Sequence, residues 1–312
     1  MREEDRQSAT AHWLPFVQAF VRAYALGADL SGAPLGAVDG LSSTAPPVAA
    51  DGQQGPVVLL CSPHPDDETL TGALPLRLLR EQGATVINLA VTLGSNPTRQ
   101  AERWAELQEA CALLGFDCQR LTTGPGFDLK SGPAAQGWPV AVQALIDCLN
   151  LLRPDFVVYP HAQDRHPAHA ATSQLVAEAL ARWTAAGKMV ALAVETEYWQ
   201  PMSAPNLLLG LGSEDEARLL AALACHRGEI ARNPYHLTHP ARLLDNVRRG
   251  AELVRSSLAR RPGFLFGELY RLSLWRQGDN QALDLTDGWL GPGQDLAGLF
   301  TGQALGCSYL GG

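Results

Sequence analysis

With 312 residues, 46% of them hydrophobic, the chain is long enough to bury one large core, or one core with a small appendage, without disulfides or a structural metal. Its 24 basic and 32 acidic residues leave a net charge of -8, which argues against nucleic acid or an anionic membrane as the main partner and favours a small, locally recognised molecule. The six cysteines, Cys61, Cys111, Cys118, Cys148, Cys225 and Cys307, fall mostly in apolar runs and never as Cys-x-x-Cys, so they read as reduced, buried thiols rather than a zinc knuckle or a secreted disulfide framework.

The charged start, Met1-Arg-Glu-Glu-Asp-Arg-Gln, lacks the apolar stretch of a signal peptide, and no later run reaches about 18 apolar residues. The expected setting is the cytoplasm, with no membrane span. Trp13 to Leu26 carries apolar residues at helical spacing, and Gly27 to Gly55 is dense in Gly, Ala, Pro and Ser, which predicts a helical arm and linker over 1–55 ahead of a principal domain over 56–312. Composition alone does not choose whether that arm covers a site, supports a homo-oligomer or is an ornament.

Val57 to Cys61 is a continuous apolar run, as suits a parallel strand covered on both faces. Helix then alternates with strand: helix Thr69 to Gln82, strand Thr85 to Thr92, helix Thr98 to Leu114, strand Cys118 to Leu121, helix Pro139 to Leu152, strand Asp155 to Tyr159, helix His166 to Ala186 and strand Met189 to Glu195. This βαβ order predicts an α/β fold, a Rossmann-like, mostly parallel sheet flanked by helices, with an N-terminal helical extension. Beyond Pro201 the pattern predicts helices over Ser213 to Ala231 and His239 to Arg260, a strand over Leu269 to Trp275 and a Gly-rich C-terminal extension.

Two polar clusters follow strand ends, where ligands bind in open α/β sheets. In Pro63-His64-Pro65-Asp66-Asp67-Glu68, His64 and Asp67 are spaced to converge on one metal ion, with Asp66 directed elsewhere. Catalytic zinc commonly takes three protein ligands and leaves a position for water, so a third ligand is required. His166-Pro167-Ala168-His169, with its two histidines on roughly one helix face, supplies the candidates, and only one of them need bind. Amide hydrolysis at such a centre also needs a base and an acid, roles that Asp66 and His166 fit. Taken singly, a lone histidine is more often structural and Asp66-Asp67 is a plausible helix cap; the joint placement at strand ends of one sheet favours a site.

The two motifs, the second read as Asp164-Arg165-His166-Pro167-Ala168-His169, resemble the PIG-L/LmbE family of zinc-dependent N-acetylglucosaminyl deacetylases. Looser matches are Arg103-x-x-Glu106 with Ala110 and Leu114-Gly115, Cys225-His226-Arg227, and Gly267-Glu268-Leu269-Tyr270, so the resemblance spans roughly Val57 to Trp275. It implies one zinc ion, or another divalent metal in the same place, on His64, Asp67 and His169. It further implies a general base at Asp66, an acid or oxyanion-stabilising role for His166, and support from Glu68. The implied reaction is attack of zinc-bound water on the N-acetyl group of an N-acetylglucosamine-type conjugate.

Ala168 departs from the pattern, because many relatives carry an acidic residue there; either Asp164 substitutes for it or His166 titrates differently. The family's arginine contacts substrate, which makes Arg103 a candidate, with Asn96 of Gly94-Ser95-Asn96 nearby; against this, Arg103 and Glu106 also fit an exposed helical face and Asn96 a turn residue. Asp164 is placed to orient an imidazole, whereas His161 reads at least as well as a solvent-facing loop residue. His226 is explained equally by the polar face of an amphipathic helix. Leu209-Gly-Leu-Gly-Ser and Gly291-Pro-Gly-Gln do not stand between a first strand and its helix, so neither reads as a dinucleotide loop, and there is no Gly-x-Ser-x-Gly elbow. Two alternatives stay open: the same chemistry on a thiol-conjugate or other N-acyl molecule, and a non-catalytic carbohydrate-binding module.

Overall fold

The structure is a computed structural model that describes residues 1–31, 55–122, 129–187, 191–254, 262–285, 288–296 and 299. The expected linker over 32–54, the onset of a strand at Met189, the helix end at 255–260, Cys307 and the Gly-rich tail lie outside the described residues.

The parallel part of the sheet comprises β1 (Val57–Ser62), β2 (Thr85–Ala90), β3 (Asp117–Arg120), β4 (Phe156–Pro160) and β5 (Ala191–Thr196), in the spatial order β3-β2-β1-β4-β5. The helices of this half are α1 (Glu3–Ser31), α2 (Asp67–Leu70), α3 (Ala73–Gln82), α4 (Gln100–Leu114), α5 (Trp138–Leu152) and α6 (Pro167–Ala185). The strand order reverses between β1 and β4, so the crevice at their carboxyl ends is the topological switch point of the sheet.

The unbroken apolar runs are explained by burial on both faces. Val58 and Leu60 of β1 join one core cluster, whereas Leu59 and Cys61 join the other; in β4, Phe156 and Val158 divide likewise from Val157 and Tyr159. The second face is covered by α5 and α6, through residues such as Leu145, Leu149, Leu175 and Val176. The first is covered by α3, α4 and α7 (Ser213–Leu223), and α1 lies along α7 with Val17 and Val21 buried in the same cluster.

Beyond β5 the sheet turns antiparallel. It adds β6 (Leu207–Leu211) and β7 (Phe266–Arg276), with β8 (Asp279–Ala282) and β9 (Trp289–Leu290) at its margin, while α8 (Arg227–Arg232) and α9 (Tyr235–Leu253) complete the chain order. The Gly-containing stretch at Leu209 is thus a strand, β6, buried along its whole length. Gly210 is required there by close approach, since a Cβ would stand 2.7 Å from the Phe264 ring.

Two predicted helices are each divided. The segment Thr69 to Gln82 breaks at Thr71-Gly72, where any Cβ at Gly72 would collide with the carbonyl of Glu68. The segment Ser213 to Ala231 breaks at 224–226, which lets His226 turn inward as the residue preceding α8. Helical periodicity is the same on either side of such breaks and does not reveal them.

Arg77 of α3, 1% exposed, ties this half to the C-terminal segment: it donates to both oxygens of Glu81 at 2.6 and 2.9 Å, to Gly210 O at 2.9 Å and to Gln294 O at 3.0 Å. Arg77→Met leaves the Glu81 carboxylate without its partner, and urea denaturation is expected to show a loss of about 3–5 kcal/mol. An unmoved midpoint would show that the pair contributes no net stability.

Candidate active site

The two motifs meet at the switch point. His64 to Asp67 leave the end of β1, and His166 and His169 begin α6, just past the loop that follows β4. Pro167 occupies the first turn of α6, where its missing N–H is not needed, and Asp164 Oδ1 accepts from His166 N at 2.8 Å to fix the entry. Asp66 takes φ +120°, a region that non-glycine residues rarely enter, and its main-chain N–H donates to Glu68 Oε2 at 2.9 Å. Its carbonyl accepts from Thr69 N at 3.0 Å and Thr69 Oγ1 at 2.7 Å, which completes a tight turn.

The ligating atoms of His64, His166 and His169 all lie within 4.8 Å of one another. Asp67 belongs to the same centre, with Oδ2 at 3.5 Å from His64 Nδ1 and Oδ1 at 3.4 Å from His169 Nε2. His166 Nδ1 and His169 Nε2 are buried without a hydrogen-bond partner. Three imidazoles and a carboxylate gathered around unsatisfied buried nitrogens fit a divalent zinc-type ion. All three imidazoles are close enough to share one ion, and of the three Asp67 contacts His64 and His169.

Electrostatics separate the neighbouring carboxylates. Burial alone would raise Asp67, but the His169 and His64 imidazoles outweigh it and hold its pKa at about 2. Asp66 is instead pushed well above the ordinary carboxylate range, first by burial and then by the charge of Asp67, with His226 and Arg103 opposing. His166 is lowered to about 4, by burial first and then by His64 and His169, so its imidazole is neutral at pH 7.

Against the burial that lowers His166, the charges of Asp67 and Asp164 act in the opposite direction, so Asp164 bears on this imidazole electrostatically. Asp164 Oδ2 stands 3.4 Å from His169 Nδ1, so the imidazole it touches is His169, while its Oδ1 contacts the main chain of His166. Ala168 is buried in the core cluster beneath α6.

A cavity of about 250 Å³ opens over the cluster, and its lining includes His64, Asp66, Asp67, Asn96, Arg103, His166 and His169. Arg103 donates to Pro65 O at 2.8 Å and lies 4.0 Å from Asp66 Oδ2, so it braces the motif loop as well as facing the cavity. Gly94 beside it has φ +86°, a conformation that favours glycine, and a Cβ there would crowd the guanidinium. Asn96 is exposed, and its Oδ1 accepts from Thr98 N at 3.1 Å and Thr98 Oγ1 at 2.8 Å.

Beneath the cavity, Glu68 Oε1 meets His226 Nε2 at 2.6 Å, both side chains fully buried. His226 is therefore an interior partner rather than part of a solvated helix face. Glu106 is likewise buried and accepts from Gly228 N at 3.0 Å, and His161 is buried with Nε2 at 2.8 Å from Gln200 O; neither faces solvent. Arg99, Trp199, Glu229, Arg232 and Tyr235 also line the cavity. No motif pointed to these five, and all but Arg99, which lies between Asn96 and Arg103, come from loops and helices remote in sequence from both motifs.

Fold and centre together define a Rossmann-like α/β protein with a His/carboxylate cluster of metal-ligating type at its switch point. Residues 59–180 match the PIG-L family model, described as GlcNAc-PI de-N-acetylase, and the matched segment takes in both motifs. The chain is 31% identical over 189 residues to the 1D-myo-inositol 2-acetamido-2-deoxy-alpha-D-glucopyranoside deacetylase of Mycolicibacterium gilvum (strain PYR-GCK), covering 51% of this chain and 63% of that relative. It therefore spans somewhat under two thirds of that protein's length.

Among solved structures, N,N'-diacetylchitobiose deacetylase from Pyrococcus horikoshii superimposes with a TM-score of 0.54 at 20% identity, covering 70% of this chain and 84% of that one. The 4-carboxy-2-hydroxymuconate hydratase of Pseudomonas putida KT2440 gives 0.52 at 19% identity, over 70% and 95%. At these identities the likeness concerns the fold, and the fold carries both a deacetylase and a hydratase. Among the described residues, no helix is long and apolar enough to cross a membrane.

Proposed function

We propose that the protein is a metal-dependent hydrolase that removes the N-acetyl group from an N-acetylglucosamine-type amino-sugar conjugate. The observation that carries this reading is the convergence of His64, Asp67 and His169 with a separate buried carboxylate, Asp66, in one cavity. The PIG-L match and the deacetylase relative support the choice of an N-acetyl amino sugar.

In this reading His64, Asp67 and His169 hold the ion, for which zinc suits the donor set. When bound, such an ion supplies Lewis-acid polarisation of the amide carbonyl and acidifies water. Asp66 accepts the proton of the attacking water and passes it to the departing amine nitrogen. A carboxyl raised above its ordinary range is suited to both halves of that transfer near neutral pH. His166, neutral and facing the cavity, stabilises the acyl oxygen by hydrogen bonding as negative charge develops on it. Asp164 holds the orientation of His169, and Glu68 holds the backbone of Asp66. Arg103 braces the turn and, with Asn96 at the rim, faces the sugar.

The test is acetate release from N-acetylglucosamine conjugates by the purified protein before and after dialysis against a chelator. Acetate release is expected to stop on chelation and to return with added zinc. Release that continues unchanged in metal-depleted protein would remove the ion from the reaction, and no release from any conjugate would sink the deacetylase reading.

A further inference from the structure

Helix α2 is a single turn, Asp67 to Leu70, and it carries Asp67 and Glu68 into the site. One helical turn is not stable by itself, because its nucleation is unfavourable and its terminal groups lack helical partners. Thr71 closes it from the C-terminal side, its N–H and Oγ1 donating to the Asp67 carbonyl at 3.1 and 3.0 Å. The chain then breaks at Thr71-Gly72 and restarts as α3, so the Leu70 carbonyl and the Ala73 and Leu74 amides need partners from elsewhere.

Those partners are side chains of β7 and α9. Glu268 and Tyr270, two apart on β7 and so on one face of the strand, reach the start of α3. Ala73 N donates to Glu268 Oε2 at 3.3 Å, Leu74 N donates to the Tyr270 hydroxyl oxygen at 2.9 Å, and that hydroxyl donates to Glu268 Oε2. From α9, His239 Nε2 stands 3.4 Å from the Leu70 carbonyl, while its Nδ1 stands 2.9 and 3.1 Å from the two carboxylate oxygens of Glu216 in α7. With an acceptor beyond each ring nitrogen, the form that donates at both is the imidazolium, paired with the Glu216 carboxylate. All four side chains are buried, and none of them lines the cavity. Well-packed apolar residues in such places are often at least as stabilising as buried polar pairs, so the network calls for a role in what it holds still: the turn that bears Asp67.

We propose that Tyr270, Glu268 and the Glu216-paired His239 are positioning residues: they clamp the α2–α3 junction and thereby hold the Asp67 carboxylate between His64 and His169 in the arrangement that takes up the ion. This rests on the reading of His64, Asp67 and His169 as a zinc-type centre. Gly267-Glu268-Leu269-Tyr270 thus acts from behind the site, through main-chain groups of the ligand-bearing segment, and touches neither substrate nor ion.

The experiment measures zinc affinity of the full chain by competition with a chromophoric chelator, alongside urea denaturation, for wild type, Tyr270→Phe, His239→Gln, His239→Asn and Leu145→Ala. Tyr270→Phe takes one oxygen from the clamp and is expected to weaken zinc binding about 10-fold, the lower end of the range for outer partners of metal ligands. A glutamine amide reaches the place from which Nε2 donates to the Leu70 carbonyl, whereas asparagine reaches only toward Glu216. His239→Gln should therefore keep zinc affinity within about 2-fold of wild type, and His239→Asn should lose about 10-fold. Leu145→Ala, buried in α5 on the other face of the sheet, should lower the urea midpoint and leave zinc affinity unchanged. Wild-type affinity in both Tyr270→Phe and His239→Asn would overturn the clamp, as would affinity losses that track the urea midpoint across all four variants. If the variants divide as expected but wild type releases no acetate, the clamp stands and the hydrolase reading alone fails. A wild type that takes up no zinc overturns both.

Discussion

Asp66→Asn is expected to lower kcat for acetate release by about 10²–10⁴-fold while bound metal and the fold are retained. The substitution is chosen for its conformation: Asp66 sits at φ +120°, and Asn is among the few side chains that tolerate positive φ. The main-chain contacts that build the turn, from Asp66 N to Glu68 and from Thr69 to the Asp66 carbonyl, involve no Asp66 side-chain atom and so survive. The proposed ligands His64, Asp67 and His169 are untouched, so metal analysis should give wild-type stoichiometry. What is lost is a group able to take and return a proton. Activity within a factor of a few of wild type would exclude Asp66 as the base, whatever the metal content.

The second large effect is expected at the buried pair beneath the turn. Burial opposes the charged form of His226, but the adjacent Glu68 carboxylate, with Asp66 and Glu106, outweighs it and holds the imidazole above its ordinary pKa. His226→Leu leaves Glu68 fully buried without its partner, and urea denaturation should show a loss of about 3–5 kcal/mol. The double variant Glu68→Leu/His226→Leu removes the stranded charge and should recover much of that stability. It should not recover activity, because Asp66 N has then lost the acceptor that pins its left-handed backbone. A double variant with both stability and kcat restored would show that the pair serves folding alone.

The alternating strands and helices and both motifs could be read directly because each is local. A strand buried on both faces must be apolar throughout, and an imidazole and carboxylate three residues apart at a strand end need nothing distant to be placed together. Helix interruptions were not legible, since Gly72 and the turn at 224–226 are set by a carbonyl contact and by His226 turning inward. The burial of Glu106 and His161, for each of which a surface position was one of two readings, was not legible for a related reason: it is created by α8 and by the loop after β5, which pack on them from more than 30 residues away.

What the sequence by itself determined is the α/β alternation and the residue types of the two polar clusters, Pro63-His64-Pro65-Asp66-Asp67-Glu68 and His166-Pro167-Ala168-His169, at strand ends, because residue type and short spacing suffice for both. The tertiary structure alone decided which imidazole Asp164 contacts, what supports Glu68, and that Trp199 stands beside His166 with Tyr235 next to Trp199. Those relations join β1, the loop after β5, α6, α8 and α9, and contacts between segments so far apart in the chain exist only once the sheet brings their ends to one edge.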